Sequence, residues 1–426
     1  IIITVVYFIK NFYLSGSYYL AYKIIYQFQA DISDNLFKKY LSLPYNFFLN
    51  SNKAVLVRNV QDEVGTFVRR LLVPGLLFVA EILTISFLFV ILVSANPLAS
   101  IIATTFAIFF GLFVFFTRPK IKKWGIQRAN YLGKKYKNLY ESFNSIIEIK
   151  IRSAEEKFLN LFKQNNSIHI LADRNVDLFN IFPRFLLEFF GVLLFSSIIA
   201  LLFLFGYNSE KILPIMALYA AAAFRILPSI NRVLVYYNSF LYGQKAFEKI
   251  NTEFSNDYSN FSKNKKKLES EIIKKIKFEN LELKDVSFAY DKTQAVLKDI
   301  NLNIKKGTYV GIQGQSGSGK STLVLLITGL LKPTSGKIFL NQTHDTSEKQ
   351  KILNSLIGYV SQKTTLFDDT IKKNIALGED ENEIDETKLK KVIEITQLKD
   401  FIYNLKDGIE TVVGDDGLRI SGGQRQ

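Results

Sequence analysis

Charge is nearly absent from three long stretches in the first half of the chain, and this restricts the fold more than any motif does. Leu71 to Val93 is 23 residues with Glu81 as its only charge, Leu98 to Thr117 is 20 residues with none, and Phe189 to Gly206 is 18 with none. A helix rises 1.5 Å per residue, so about 20 residues cross a hydrocarbon layer about 30 Å thick. Residues 1 to 27 are apolar and aromatic, with Lys10 and Lys23 their only charges, and Ile212 to Phe224 opens another uncharged run. A soluble core rarely strings such runs in series. The expected first part is a membrane all-α helical bundle with five spans, near 1–27, 71–93, 98–117, 180–206 and 212–245.

The connections are of two kinds. Ser94 to Pro97 and Tyr207 to Lys211 are tiny, whereas 28–70 and 118–175 are long and basic, the latter with Arg118, Lys120, Lys122, Lys123 and Arg128 near its start. Basic connections stay in the cytoplasm, so the short loops face outward and the soluble C-terminal part lies inside, where ATP is. Loops longer than about 15 residues without structure are uncommon, so the long connections are expected to be cytoplasmic continuations of the helices. Short helices near 43–64 and 141–158 would be their turning points.

The net charge of +15 invites a nucleic-acid reading, but the basic residues flank apolar runs and form no aromatic-laced patch. Without cysteine there is no disulfide framework, thiolate metal site or cysteine nucleophile. The only methionine is Met216, so the chain is expected to continue ahead of its first residue.

A charge inside a span is costly and is usually paired or functional. Glu81, Glu188, Arg225 and Arg232 are in that position. The two arginines are about two helical turns apart and share a face, with Pro228 between them where a proline bends a helix. Either they line a cavity and hold an anionic cargo, or they pair with Glu81 or Glu188 or reach the membrane interface.

The second half has a different signature. Gly314-Gln315-Ser316-Gly317-Ser318-Gly319-Lys320-Ser321-Thr322 has the spacing of a phosphate-binding loop. Glycines let the backbone close on phosphate oxygens, the following helix N-terminus favours an anion, Lys320 reaches the β- and γ-phosphates, and Ser321 is a ligand for Mg²⁺. Tyr309 to Ile312 reads as the strand entering the loop, and Leu323 to Ile327 as the helix leaving it. The expected second part is an α/β P-loop NTPase domain, 276–426, after a membrane domain, 1–250, and a Lys-, Asn- and Ser-rich linker, 251–275. Within it, Lys337 to Leu340 and Ile357 to Gln362 read as strands, the latter ending in a polar tip where open α/β sheets bind ligands.

The chain closes with Ser421-Gly422-Gly423-Gln424-Arg425-Gln426, about a hundred residues after the phosphate loop. That ordered pair of motifs, behind several spans, resembles the ATP-binding cassette (ABC) transporters, in their exporter-type half-transporter form. Within the exporters, Ala222 to Arg232 and the Asn46 to Asn52 region resemble oligosaccharide-lipid flippases. The resemblance implies six spans per subunit, so a first span would precede residue 1. It implies a dimer with a second half-transporter, most simply a homodimer, in a lipid bilayer, with ATP and Mg²⁺ as cofactors and no nucleic acid.

Carried over by position, the resemblance makes Tyr290 the aromatic that stacks on adenine. Lys320 and Gln362 become catalytic, Ser321 and Gln362 the Mg²⁺ contacts, and Ser421 to Gln424 the cap on ATP held by the other subunit. Asp415 and Asp416 would touch the partner's coupling helices. The family's Asp-Glu strand and switch histidine would follow Gln426; His169 and His344 precede the signature and read as surface or packing residues. The 426 residues alone are therefore expected to bind nucleotide poorly and not to hydrolyse it. The implied activity of the parent protein is ATP-driven export or flipping, of a lipid-linked oligosaccharide or else of a drug, peptide or other lipid, in a bacterial plasma membrane. An ATP-gated channel and a non-transport ABC ATPase are the readings from other classes.

Overall fold

The computed structural model describes residues 1–95, 97–204, 209–255, 277–291, 294–341, 344–345, 353, 355–362, 364–414 and 420–426. Two compact units form, Ile1–Lys265 and Lys266–Gln426.

The first unit is helical. Its elements are α1 (Ile2–Leu41), α2 (Tyr45–Asn50), α3 (Lys53–Arg58), α4 (Val64–Phe67), α5 (Val73–Ala95), α6 (Pro97–Asn144), α7 (Ile146–Ile151), α8 (Glu155–Leu204) and α9 (Ser209–Ser255). The five anticipated spans lie in α1, α5, α6, α8 and α9, and α6 and α8 continue far beyond the membrane length, as the basic connections imply. Side chains of 98–110 lie outside the described residues. The short helices α2, α3 and α7 occupy the expected turning points. Asn52 caps α3, its Oδ1 accepting from the Ala54 amide at 3.0 Å. Helix α9 runs on through Pro228 and ends at Ser255, inside the stretch anticipated as linker; residues 256–276 are outside the description.

The apolar faces point outward. Helix α5 exposes Leu76, Val79, Leu83, Phe87 and Val90, and α8 exposes Leu178, Phe182, Phe185, Phe189 and Val192, each at the three-to-four-residue repeat of one helix side. Among the described residues Lys53–Ile91 is the stretch long and apolar enough to cross a membrane, and only 6% of its apolar window is buried. Hydrocarbon is the solvent that accommodates such stripes, because the helix satisfies its own backbone.

Packing between helices uses close approaches and small clusters. A Cβ on Gly125 would stand 2.7 Å from the Tyr242 carbonyl, so glycine lets α6 meet α9. Ile121, Val176, Leu241 and Tyr242 join α6, α8 and α9. Leu36, Tyr40, Val64, Phe67, Val68 and Ile250 join α1, α4 and α9. Between α3 and α5 the chain makes two π-helical turns, Asn59–Glu63 and Val68–Leu72, on either side of α4.

The second unit contains β1 (Asn280–Ala289), β2 (Ala295–Lys305), α10 (Lys320–Ile327), β3 (Ser335–Leu340), β4 (His344–Asp345), α11 (Ile371–Ile375), α12 (Glu386–Ile395), α13 (Lys399–Tyr403) and α14 (Gly422–Arg425). The strands form an antiparallel sheet in the order β2-β1-β3-β4. Leu281 and Leu283 alternate inward, then Val286 and Phe288 resume the alternation after a bulge. Asp285 takes φ +48° there, and its amide donates to Asn301 Oδ1 at 2.9 Å. Leu326 of α10 is fully buried against this sheet core with Ile338 and Leu340.

Two anticipated strands do not form among the described residues. Neither Tyr309–Ile312 nor Ile357–Gln362 joins a ladder among the described residues, and Tyr309, Val310, Tyr359 and Val360 are exposed. Apolar and β-branched composition gives a preference for extended chain, but a strand needs a hydrogen-bonding neighbour. Lys337–Leu340 does lie in a strand, β3.

Candidate functional site

The loop 314–319 is shaped by glycines that no other residue replaces. Gly317 and Gly319 have φ of +82° and +89°. A Cβ on Gly319 would lie 2.9 Å from Leu297 Cδ2 and 3.3 Å from the Val296 carbonyl, and one on Gly314 would lie 2.7 Å from Ser318 Oγ. Bare backbone is thus forced to the start of α10, where the first-turn amides have no intrahelical acceptor. Lys320 opens that helix, and its Nζ donates to the carbonyls of Gly314 at 2.9 Å and Gln315 at 2.7 Å, folding the ammonium across the loop. Gln315, Ser316, Ser318 and Ser321 are exposed beside it. The cradle fits a polyphosphate: amides at a helix N-terminus, an ammonium and hydroxyls, with no carboxylate within the motif.

Tyr290 stands at the end of β1. Its hydroxyl is 3.0 Å from Thr322 Oγ1 in the first turn of α10, and Phe288 meets its ring edge-on at 4.9 Å. The sheet therefore holds an aromatic side chain next to the phosphate loop, and 41% of that side chain is exposed.

The remaining motif residues make their own contacts. Ser421 caps α14 in a reciprocal box: the Gln424 amide donates to Ser421 Oγ at 3.3 Å, and the Ser421 amide to Gln424 Oε1 at 3.0 Å. Gly422 and Gly423 have open space where a Cβ would stand. Gln426 Nε2 donates to the Ser361 carbonyl at 3.4 Å, which sets the end of the motif beside exposed Gln362. Among the described residues no hydrogen bond joins Ser421–Gln424 to residues 314–322. Asp415 and Asp416 lie outside the described residues.

In the helical unit Arg232 binds Glu81, with Nε to Oε1 at 2.6 Å and an Nη2 to Oε2 distance of 3.2 Å. Arg184 pairs with Glu188 at 2.9 Å. Arg225 is exposed. Of the two readings for these arginines, pairing describes Arg232. The two histidines are a packing residue and a strand residue: His169 is buried in α8 and His344 lies in β4. Burial holds the His169 imidazole below its usual range despite Asp173 beside it.

One buried ionic group escaped the sequence reading. Glu63 is fully buried between Arg58, at 3.5 Å, and Arg128 of α6, at 3.9 Å. Neither of its oxygens has a hydrogen-bond partner. Burial pushes its carboxyl up from the ordinary range, against the pull of the two arginines. Arg58 and Glu63 are five residues apart, a spacing that shares a face only where hydrogen bonds run i→i+5, as in the π turn between them.

Two family profiles match the chain. One, for the ABC transporter transmembrane region, covers residues 1–224. The other, for ABC transporter, covers residues 297–426. The chain belongs to the ABC transporters. Membership makes it an integral membrane protein of an ATP-binding family.

Similar proteins include an ATP-dependent lipid A-core flippase of Francisella tularensis, 26% identical over 97% of this chain and 66% of that protein. A lipid A-core flippase of Ralstonia nicotianae is 41% identical over 34% of this chain and 25% of the relative. An ABC multidrug transporter of Aspergillus fumigatus is 38% identical over 34% of this chain and 11% of the relative. The chain thus spans at most two thirds of these relatives. A solved bacterial Atm1-family ABC exporter with ATP bound superposes with a TM-score of 0.75 at 18% identity, covering 95% of this chain and 69% of that one, which shows the exporter fold.

Proposed function

We propose that this chain is part of one subunit of an ATP-driven exporter that moves a lipid-anchored oligosaccharide across the membrane by alternating access. One observation carries the reading: a glycine-forced phosphate cradle lies on the same polypeptide as helices whose apolar stripes face outward. Residues 1–250 would form the membrane domain, 251–275 the connector and 276–426 the cassette. The basic connections support a cytoplasmic cassette at a bacterial plasma membrane.

Two subunits would share each nucleotide, with Tyr290 and Gly314–Thr322 of one facing Ser421–Gln424 of the other. That no hydrogen bond joins the motif to the loop among the described residues agrees with this. Lys320 would hold charge developing on the transferred phosphoryl group, and Gln362 would orient the attacking water. Mg²⁺ held by Ser321 and Gln362 would neutralise phosphate charge. Binding energy drives the cycle only through a higher affinity for the closed dimer.

The cargo assignment draws on the flippase relatives and on a cavity of about 740 Å³ between α8 and α9. Leu187, Val192 and Phe224 give it apolar walls, while Arg184, Glu188 and Arg232 give it charged ones. Such a mixture suits a molecule with an apolar anchor and a polar head. The test is cargo-stimulated ATPase of the full-length protein in nanodiscs. Stimulation by a lipid-linked oligosaccharide but not by the bare lipid supports the proposal. Equal stimulation by both, or stimulation by hydrophobic drugs alone, moves the cargo to the other exporter classes.

A further inference from the structure

The cavity between α8 and α9 holds a hydrogen-bonding group that the chain itself leaves unused. Its charged lining is already engaged: Arg232 is gripped by Glu81 at 2.6 Å, and Arg184 holds Glu188 at 2.9 Å. Asn231, the remaining polar side chain of that lining, is different. Its Oδ1 is buried and has no hydrogen-bond partner among the described residues. The register of the two antiparallel helices explains why. Two turns further along α9, Asn238 reaches across, and its Nδ2 donates to Asn180 Oδ1 at 3.2 Å. In the other direction, a Cβ on Gly191 would stand 2.9 Å from Leu227 Cδ1. The same register sets Leu187 opposite Asn231, and leucine offers no hydrogen bond. A buried amide oxygen without a donor is costly, and more so at membrane depth. The terminal torsion of asparagine is broad and roughly two-fold, so a half-turn brings the oxygen to the cavity at little torsional cost.

We propose that Asn231 is a specificity-determining residue for cargo: its amide oxygen accepts a hydrogen bond from a hydroxyl of a saccharide head group seated in this cavity. This rests on the reading above that the cavity takes a lipid-anchored oligosaccharide. An amide oxygen only accepts, so its partner must bring a proton. A sugar hydroxyl does so, whereas an ionised phosphate has none to give. Wholly apolar cargo fails too, because it leaves the oxygen buried and unpartnered. A site built around such an acceptor rejects analogues that lack the donor, which a purely hydrophobic pocket cannot do as sharply.

The experiment measures stimulated ATPase of the full-length protein in nanodiscs, with a polyprenyl-linked trisaccharide and its per-O-methylated form as the two probes. The methylated probe keeps the anchor and the sugar rings but has no hydroxyl to donate. Wild type should need more of it for half-maximal stimulation. Asn231→Leu keeps the branched shape and removes the acceptor. It should raise the half-stimulating concentration of the hydroxylated probe about fivefold to tenfold, the size of one buried hydrogen bond, and leave the methylated probe unchanged. Thermal unfolding without cargo gives an independent reading. Asn231→Leu should melt no lower than wild type, because it deletes an oxygen that has no partner. A lower melting temperature would show that the oxygen is bonded within the protein and would overturn the proposal. So would a wild type indifferent to methylation, or a variant in which both probes or neither change. The underlying reading fails separately. If neither probe stimulates wild type, or bare polyprenol stimulates it equally, the cavity takes no saccharide and both ideas fall. If the trisaccharide outdoes bare polyprenol and Asn231→Leu keeps the preference between the two probes, only the assignment of Asn231 fails.

Discussion

Arg232 of α9 grips Glu81 of α5 with two nitrogens on two oxygens, at 2.6 and 3.2 Å, and a third bond runs from Arg232 to Ser229 Oγ at 3.0 Å. A two-pronged arginine–carboxylate bond is strong and directional. It neutralises the arginine that the sequence offered as a lure for anionic cargo. Breaking it should loosen α5 from α9. Arg232→Met and Glu81→Gln should each cost about 1.5–3 kcal/mol, as for hydrogen bonds to a charged group. Thermal unfolding of the full-length protein in detergent checks this, and the double variant should recover part of the loss. Unchanged melting in both single variants would mean that the pair contributes nothing.

Gly319 is expected to be irreplaceable. Alanine there meets the left-handed penalty of about 1–2 kcal/mol and a contact with Leu297 Cδ2 at 2.9 Å. Gly319→Ala should therefore weaken ATP and tripolyphosphate alike, because it disturbs the cradle common to both. Calorimetric titration with both ligands reads the effect.

Lys320 bears on rate. Replacement by alanine removes the ammonium that lies across the loop. Loss of one preorganised donor to developing charge typically costs about 10²- to 10³-fold in turnover. Phosphate release by the full-length Lys320→Ala protein at saturating ATP should fall by that order.

Glu63 should make stability depend on pH. Its folded carboxyl titrates above the ordinary range because it is buried, so its contribution is fully present below that range and is lost as pH rises through the raised value. The melting temperature should fall as pH rises above the ordinary carboxylate range. Glu63→Gln, which stands in for the neutral carboxyl, should flatten this component. Glu253 is also raised by burial and has the same sign, so the comparison is wild type against Glu63→Gln at each pH.

The parts that could be read from sequence were those that backbone geometry or solvent dictates residue by residue. Gly317 and Gly319 sit at φ above +80°, where glycine is strongly favoured, and a run with a single charge, such as 71–93, has few places to go but hydrocarbon. Pairing was harder to read. Glu81 and Arg232 are 151 positions apart, and the sequence offered Glu188 as an equal partner. Yet Glu188 has its own arginine, Arg184, four residues earlier on the same helix face. The Arg58–Glu63 group was hidden because α-helical periodicity does not align residues five apart. Residues 309–312 have strand composition but join no ladder among the described residues, which no local pattern reveals.

The most direct test of ATP-powered movement uses the full-length protein in liposomes with a fluorescent lipid-linked oligosaccharide, its transfer between leaflets followed by quenching from outside. Transfer should require ATP, stop with vanadate and disappear in Lys320→Ala. Equal transfer without ATP, or in the Lys320→Ala protein, would contradict a pump and leave a passive pathway in its place.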